Sequence, residues 1–94
     1  FGRRLVQNND NGTDHGHGGV MFALGGGVNG GSVYGQWPGL ANEQLYDHAD
    51  LAVTTDYRQV LSELLNARLQ VPSIQTIFPG FTPALSPLGL FRSE

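Results

Sequence analysis

Cysteine is absent from the 94 residues, which excludes a disulfide framework, a thiolate metal site and a cysteine nucleophile. Charge is scarce. Charged residues make up 14% of the chain and the formal net charge is −3, so the basic footprint that nucleic acid requires is missing. No apolar run approaches the roughly 20 residues needed to cross a bilayer, so no membrane span is expected. The opening Phe1-Gly2-Arg3-Arg4 is not followed by the apolar core of a signal peptide. The polar run Gln7-Asn8-Asn9-Asp10-Asn11 likewise excludes reading Arg3-Arg4 as a twin-arginine export signal. There is no initial methionine, and the first residues read as the middle of a structure, so we expect a fragment: a partial domain over residues 1–94.

Glycine, by contrast, is abundant. Its 14 residues are about twice the usual share, and low charge argues against a disordered acidic or basic tail. Residues 1–19 are rich in Asn, Gly and His and read as a loop. An EF-hand is rejected there, because placing Gly12 sixth puts Gln7 first and Gly18 where the bidentate Glu belongs. Residues 20–35 read as short strands and glycine turns. Val20 to Leu24 is wholly apolar, the pattern of a strand buried on both faces, and a second short strand is expected around Ser32 to Gly35. A phosphate-binding P-loop fails there for want of Gly-Lys-Ser/Thr. Trp37-Pro38-Gly39 makes a corner at which Trp37 is expected to pack, and residues 40–50 read as surface loop with one helical turn.

Residues 51–70 supply the clearest element. Asp50-Leu51-Ala52-Val53 is a short strand or extended entry, Thr54 or Thr55 is positioned to cap a helix, and Asp56 suits its first turn. Tyr57, Val60, Leu61, Leu64, Leu65 and Leu69 then follow helical spacing, an amphipathic helix of about 14 residues ended by Pro72. Residues 71–94 carry four of the five prolines among scattered Ile, Leu and Phe, so an irregular, extended tail is expected. One helix and a few short strands offer its apolar residues little surface, so the tail is expected to pack on protein outside this chain.

The chemistry concentrates in Gly12-Thr13-Asp14-His15-Gly16-His17-Gly18-Gly19, which holds two of the three histidines. In extended chain, residues i and i+2 face one side, so His15 and His17 are able to address one target. Neutral imidazole is the commonest transition-metal ligand, which makes a metal site one reading; a glycine-rich surface loop with solvated histidines is the other. His48 reads as a surface residue, and Arg3 and Arg4 as solvated or salt-bridged groups also suited to an anionic substrate.

Taken together, Phe1-Gly2-Arg3, Thr13-Asp14-His15-Gly16-His17-Gly18, Val33-Tyr34-Gly35-Gln36-Trp37-Pro38-Gly39 and Leu51-Ala52-Val53-Thr54-Thr55-Asp56 resemble the bacterial domain-of-unknown-function family 1501. More broadly, the chain resembles the C-terminal part of the alkaline phosphatase/sulfatase superfamily. The fold this implies is α/β, the C-terminal portion of an α/β/α sandwich with short strands, one main amphipathic helix and an irregular Pro-rich tail. The function implied is hydrolysis of phosphate or sulfate esters at one or two divalent metal ions, with zinc, manganese or calcium as candidates. His15 matches the superfamily's late metal ligand, with His17 an auxiliary ligand, Asp14 behind an imidazole and Arg3 near the anionic ester. Phe1-Gly2-Arg3 stands where superfamily enzymes usually carry Asp-His-Gly, and the nucleophile and remaining ligands are expected outside the chain.

Two functions follow from the resemblance. One is a piece of an exported metal-dependent hydrolase, in the bacterial periplasm or beyond it. The other is a non-catalytic exported protein with a degenerate site. A third possibility, an independent small binding module, is disfavoured by the apolar tail. The expected partners are the remainder of the same protein or a second copy, and a small anionic ester; nucleic acid is not among them.

Overall fold

The computed structural model describes residues 2–84 and 86–92. Among them the chain is a small mixed α/β structure with two short strands and two helices, arranged as two compact units. Phe1, expected in place of a ligating histidine, and Leu85 of the tail lie outside the described residues.

The first unit comprises Phe1–Phe22 and Gln36–Thr54. In it β1 (Gly2–Arg3) pairs antiparallel with β2 (His15–Gly16), Gly2 opposite Gly16 and Arg3 opposite His15. Glycine permits this approach. A Cβ on Gly16 would lie 2.7 Å from the Arg3 carbonyl carbon, and one on Gly18 would lie 2.7 Å from the Leu51 oxygen. Asn8 organises the intervening loop, its Oδ1 accepting from the amides of Asp10 (2.9 Å) and Gly12 (3.0 Å). Such side-chain mimicry of a backbone turn is why Asn suits loops.

A second turn brings in Asp50. Asp47 and His48 both have positive φ, 53° and 56°, and the Ala49 amide donates to the Tyr46 carbonyl at 3.1 Å. Two successive left-handed residues make a tight hairpin-type reversal. Asp50 then bridges both Tyr46 and Arg4, while the Leu5 amide donates to Ala49. The one helical turn expected in residues 40–50 is a 3-10 turn, Asn42–Gln44. Trp37, expected to pack, is exposed instead.

The second unit comprises Ala23–Gly35 and Thr55–Glu94. Its main element is α1 (Tyr57–Arg68), the amphipathic helix expected from the Leu spacing, though its cap is Asp56 and neither threonine. Asp56 Oδ1 accepts from the Arg58 amide at 2.9 Å, one of the orphan donors of the first turn. The Thr54 hydroxyl instead donates to the Gln36 carbonyl at 2.7 Å. Gln70, at φ 52°, ends the helix in the left-handed cap conformation, and Val71 donates back to Leu65. α2 (Ile74–Ile77) occupies the proline-free stretch between Pro72 and Pro79, a single turn in a tail expected to hold no regular helix.

Parts of the tail are held within its own unit, by α1 and by Val28. Gln59 Oε1 accepts from Ala84 at 2.7 Å, and the Glu63 carboxylate accepts from the amides of Leu88 and Gly89. Val28 bridges Phe91, and Leu90 is buried. Gln59 and Ser62 are the buried residues of α1, and the side chains through which this helix binds tail backbone are those of Gln59 and Glu63.

The strand expected over Val20 to Leu24 does not form, and Val20, Met21, Phe22 and Leu24 are all exposed. Residues 32–35 form no strand either. A strand apolar on both faces is buried only between neighbours that satisfy its backbone, and the described ladder is two residues long.

Candidate functional site

Asp50 is the most buried side chain of the described residues, 2% exposed, although it carries a charge. A buried carboxylate is tolerated when partners replace the water it has lost. Asp50 Oδ2 lies 2.6 Å from His17 Nδ1, and Oδ1 lies 3.3 Å from Arg4 Nε. An ionised carboxylate only accepts, so the shared hydrogen belongs to His17 Nδ1 and the imidazole donates. Nε2 is then the ring's remaining nitrogen. Tyr46 stacks on the same imidazole with ring centroids 3.9 Å apart and planes tilted by 37°. His17 is thus fixed in tautomer by Asp50 and in ring orientation by Tyr46, while half of its side chain stays open to solvent.

Each residue arrives from a separate piece of the first unit. His17 lies between β2 and Gly18, whose lack of a side chain lets the chain run close to residues 51 and 52. Arg4 follows β1 and is tied by its amide to the Asp14 carbonyl at 2.9 Å. Tyr46 and Asp50 are the two ends of the left-handed turn.

The residues singled out in the sequence have distinct places. His15 sits in β2 opposite Arg3 and is exposed. Asp14 Oδ1 accepts from Asn8 Nδ2 at 3.0 Å, so the carboxylate that the structure sets behind His17 is Asp50, 33 residues further along. Arg3 Nη1 donates to the Thr13 carbonyl at 2.7 Å. His48 is exposed, with Nδ1 3.0 Å from the Asn42 carbonyl, as a surface histidine should be. Sequence reasoning missed Asp50 and Tyr46. The available signal for Asp50 was a lone carboxylate heading the apolar Leu51-Ala52-Val53, a position that calls for a distant partner.

A second carboxylate–cation pair is structural. Asp56 receives Arg58 Nε and Nη2, the latter at 2.6 Å, and Arg58 lies 4.4 Å from the centroid of Phe81. The Arg58 side-chain hydrogen bonds, then its amide, hold the Asp56 carboxyl below the usual carboxylate range, and the same pairing raises Arg58.

As to a metal, His17 offers one imidazole nitrogen backed by a carboxylate, the usual setting of a ligating histidine. Among the described residues no group of three His, Cys, Asp or Glu is placed to hold an ion, so a complete site does not fit these residues alone. No described helix is long and apolar enough to cross a membrane.

Against known proteins, residues 1–75 match the family model described as "Protein of unknown function (DUF1501)". No curated protein and no solved structure matches the chain.

Proposed function

The chain belongs to the DUF1501 family, and from that premise we propose that it contributes two imidazoles, His15 and the Asp50-oriented His17, to a metal-dependent hydrolase of phosphate or sulfate esters. The observation that carries this reading is the hydrogen bond between buried Asp50 and His17 Nδ1. A carboxylate behind Nδ1 fixes the tautomer and aims Nε2, and this serves metal ligation and proton transfer alike. The resemblance to the alkaline phosphatase/sulfatase superfamily supports the choice of ester chemistry and an α/β/α sandwich around this segment. Fold-level likeness warrants function only through the site it carries.

In this reading a divalent ion supplies Lewis acidity toward the ester oxygen. His15 and His17 provide at most two protein ligands, fewer than the three usual at catalytic zinc, so the other ligands and the nucleophile come from outside this chain. Within the chain, Asp50 sets the His17 tautomer and Tyr46 sets its ring plane.

Metal analysis of the full-length protein tests the reading. His15→Ala and His17→Ala each lower bound metal, and Asp50→Asn weakens metal affinity by about 10–100-fold, as loss of a carboxylate behind a ligand does. Metal content equal to wild type in both histidine variants contradicts the assignment. A panel of phosphate and sulfate esters then separates a working enzyme from a metal-binding protein without turnover.

A further inference from the structure

Arg4 and His17 converge on the two oxygens of one buried carboxylate, yet Arg4 is only loosely spent there. Its Nε is 3.3 Å from Asp50 Oδ1, an ion-pair distance, but Oδ1 has no hydrogen-bond partner among the described residues. The guanidinium carries five N–H donors in a rigid plane, and this contact draws on Nε alone. The four Nη hydrogens, which make up the outer fork, are uncommitted to Asp50. The Arg4 side chain is 48% exposed, against 3% for that of Asp50, so the pair joins a buried anchor to an open side chain. His17, on the other carboxylate oxygen, is open to a similar degree.

We propose that Arg4 is the oxyanion-anchoring residue of this site, presenting its Nη fork to the tetrahedral oxygens of a phosphate or sulfate group beside His17. A planar fork matches two such oxygens at once, a geometry that a lysine ammonium lacks. The arrangement assigns the role to Arg4 over its neighbour. Arg3 commits Nη1 to the Thr13 carbonyl at 2.7 Å, whereas Arg4 shares Asp50 with the imidazole. Asp50 has two tasks: through Oδ2 it sets the imidazole, and through Oδ1 it holds the guanidinium in place. The inference rests on the reading above for the identity of the ester, but the oxyanion contact itself needs no metal.

The test therefore uses the full-length protein, stripped of metal and with chelator present. It is titrated separately with inorganic phosphate and inorganic sulfate, and the Arg4 and His17 side-chain resonances are followed by NMR. Saturable shifts of both residues are expected with at least one anion, and the two titrations show which anion is preferred. Arg4→Gln should weaken binding at least tenfold, and Arg3→Gln should leave it within twofold. Absence of saturable shifts in wild type overturns the proposal, as does equal displacement by chloride, or Arg4→Gln binding within twofold of wild type. Should Arg4→Gln fail to fold, Arg4→Lys decides. It keeps a positive charge beside Asp50 and removes the fork, so unchanged affinity overturns the proposal and a several-fold loss supports it. Unchanged metal content in the histidine variants would sink the metal reading and leave this result standing, so the two failures are distinguishable.

Discussion

At the scale of single residues, the energetics of this chain centre on Asp50. A carboxylate 2% exposed has lost nearly all its water, and His17 and Arg4 replace it unequally. The 2.6 Å bond from His17 carries most of the compensation, because Oδ1 makes only the longer contact with Arg4. His17→Phe retains an aromatic ring against Tyr46 while removing that bond. Its expected cost is about 1–3 kcal/mol of stability, the penalty of leaving a buried acceptor unsatisfied, read from the urea midpoint. Asp50→Asn in the same background should recover part of the loss, since it removes the stranded charge. A midpoint for His17→Phe equal to wild type would mean that the bond contributes nothing. The histidine pair was legible in the sequence because both residues lie in one short glycine-rich segment. The partner of His17 was not, since a separation of 33 residues leaves no local trace.

Among the elements, α1 was the most legible, because its Leu spacing repeats over three turns and Pro72 marks its limit. Its cap was read one or two residues early. Thr54, Thr55 and Asp56 are all competent caps, and the choice fell to Asp56 because Arg58 donates to it from both amide and guanidinium. This pair gives the helix a pH dependence whose sign is determined. The folded state holds the Asp56 carboxyl below its unfolded value, so its contribution is full above about pH 4. It is lost as pH falls from there through the lowered folded value. Asp56→Ala should cost about 1 kcal/mol at neutral pH. Asp56→Asn, still a good cap, should lose little at neutral pH and should flatten the acid limb of stability measured by circular dichroism. An acid limb that coincides with wild type rules out the Arg58 pairing as its cause.

The connection between β2 and the site depends on a glycine. A Cβ on Gly18 would lie 2.7 Å from the Leu51 carbonyl oxygen, a backbone atom with little room to yield. Gly18→Ala should therefore push His17 away from Asp50. The expected sign is loss of the downfield Nδ1 proton resonance of His17 with α1 helicity intact, since α1 belongs to the other unit. Retention of that resonance would show that the segment accommodates the methyl group. No spacing rule picks out this glycine from its neighbours, because the need for it arises from a chain segment that passes 33 residues later.

For the molecule as a whole, the exposed Val20, Met21, Phe22, Leu24 and Trp37 form the principal liability. Exposed apolar residues in extended chain favour association through their backbone and side chains. The chain should self-associate at micromolar concentration, seen as concentration-dependent mass in light scattering. Val20→Thr with Phe22→Thr should shift the population toward monomer. A monodisperse wild-type monomer that melts cooperatively contradicts the expectation.

What the sequence determined by itself was everything that short-range chemistry controls. The absence of cysteine and of long apolar runs, the glycine-rich histidine segment, the capped helix and its proline stop all act within a few residues. Family membership was legible for a similar reason, since it rests on several short motifs in order. What only the tertiary structure decided was which imidazole met which carboxylate, which arginine stood beside it, and where the tail went. Those outcomes depend on burial. Asp50 selects its partners only once the turn at Asp47 and His48 removes it from water, and that selection is a property of the folded chain.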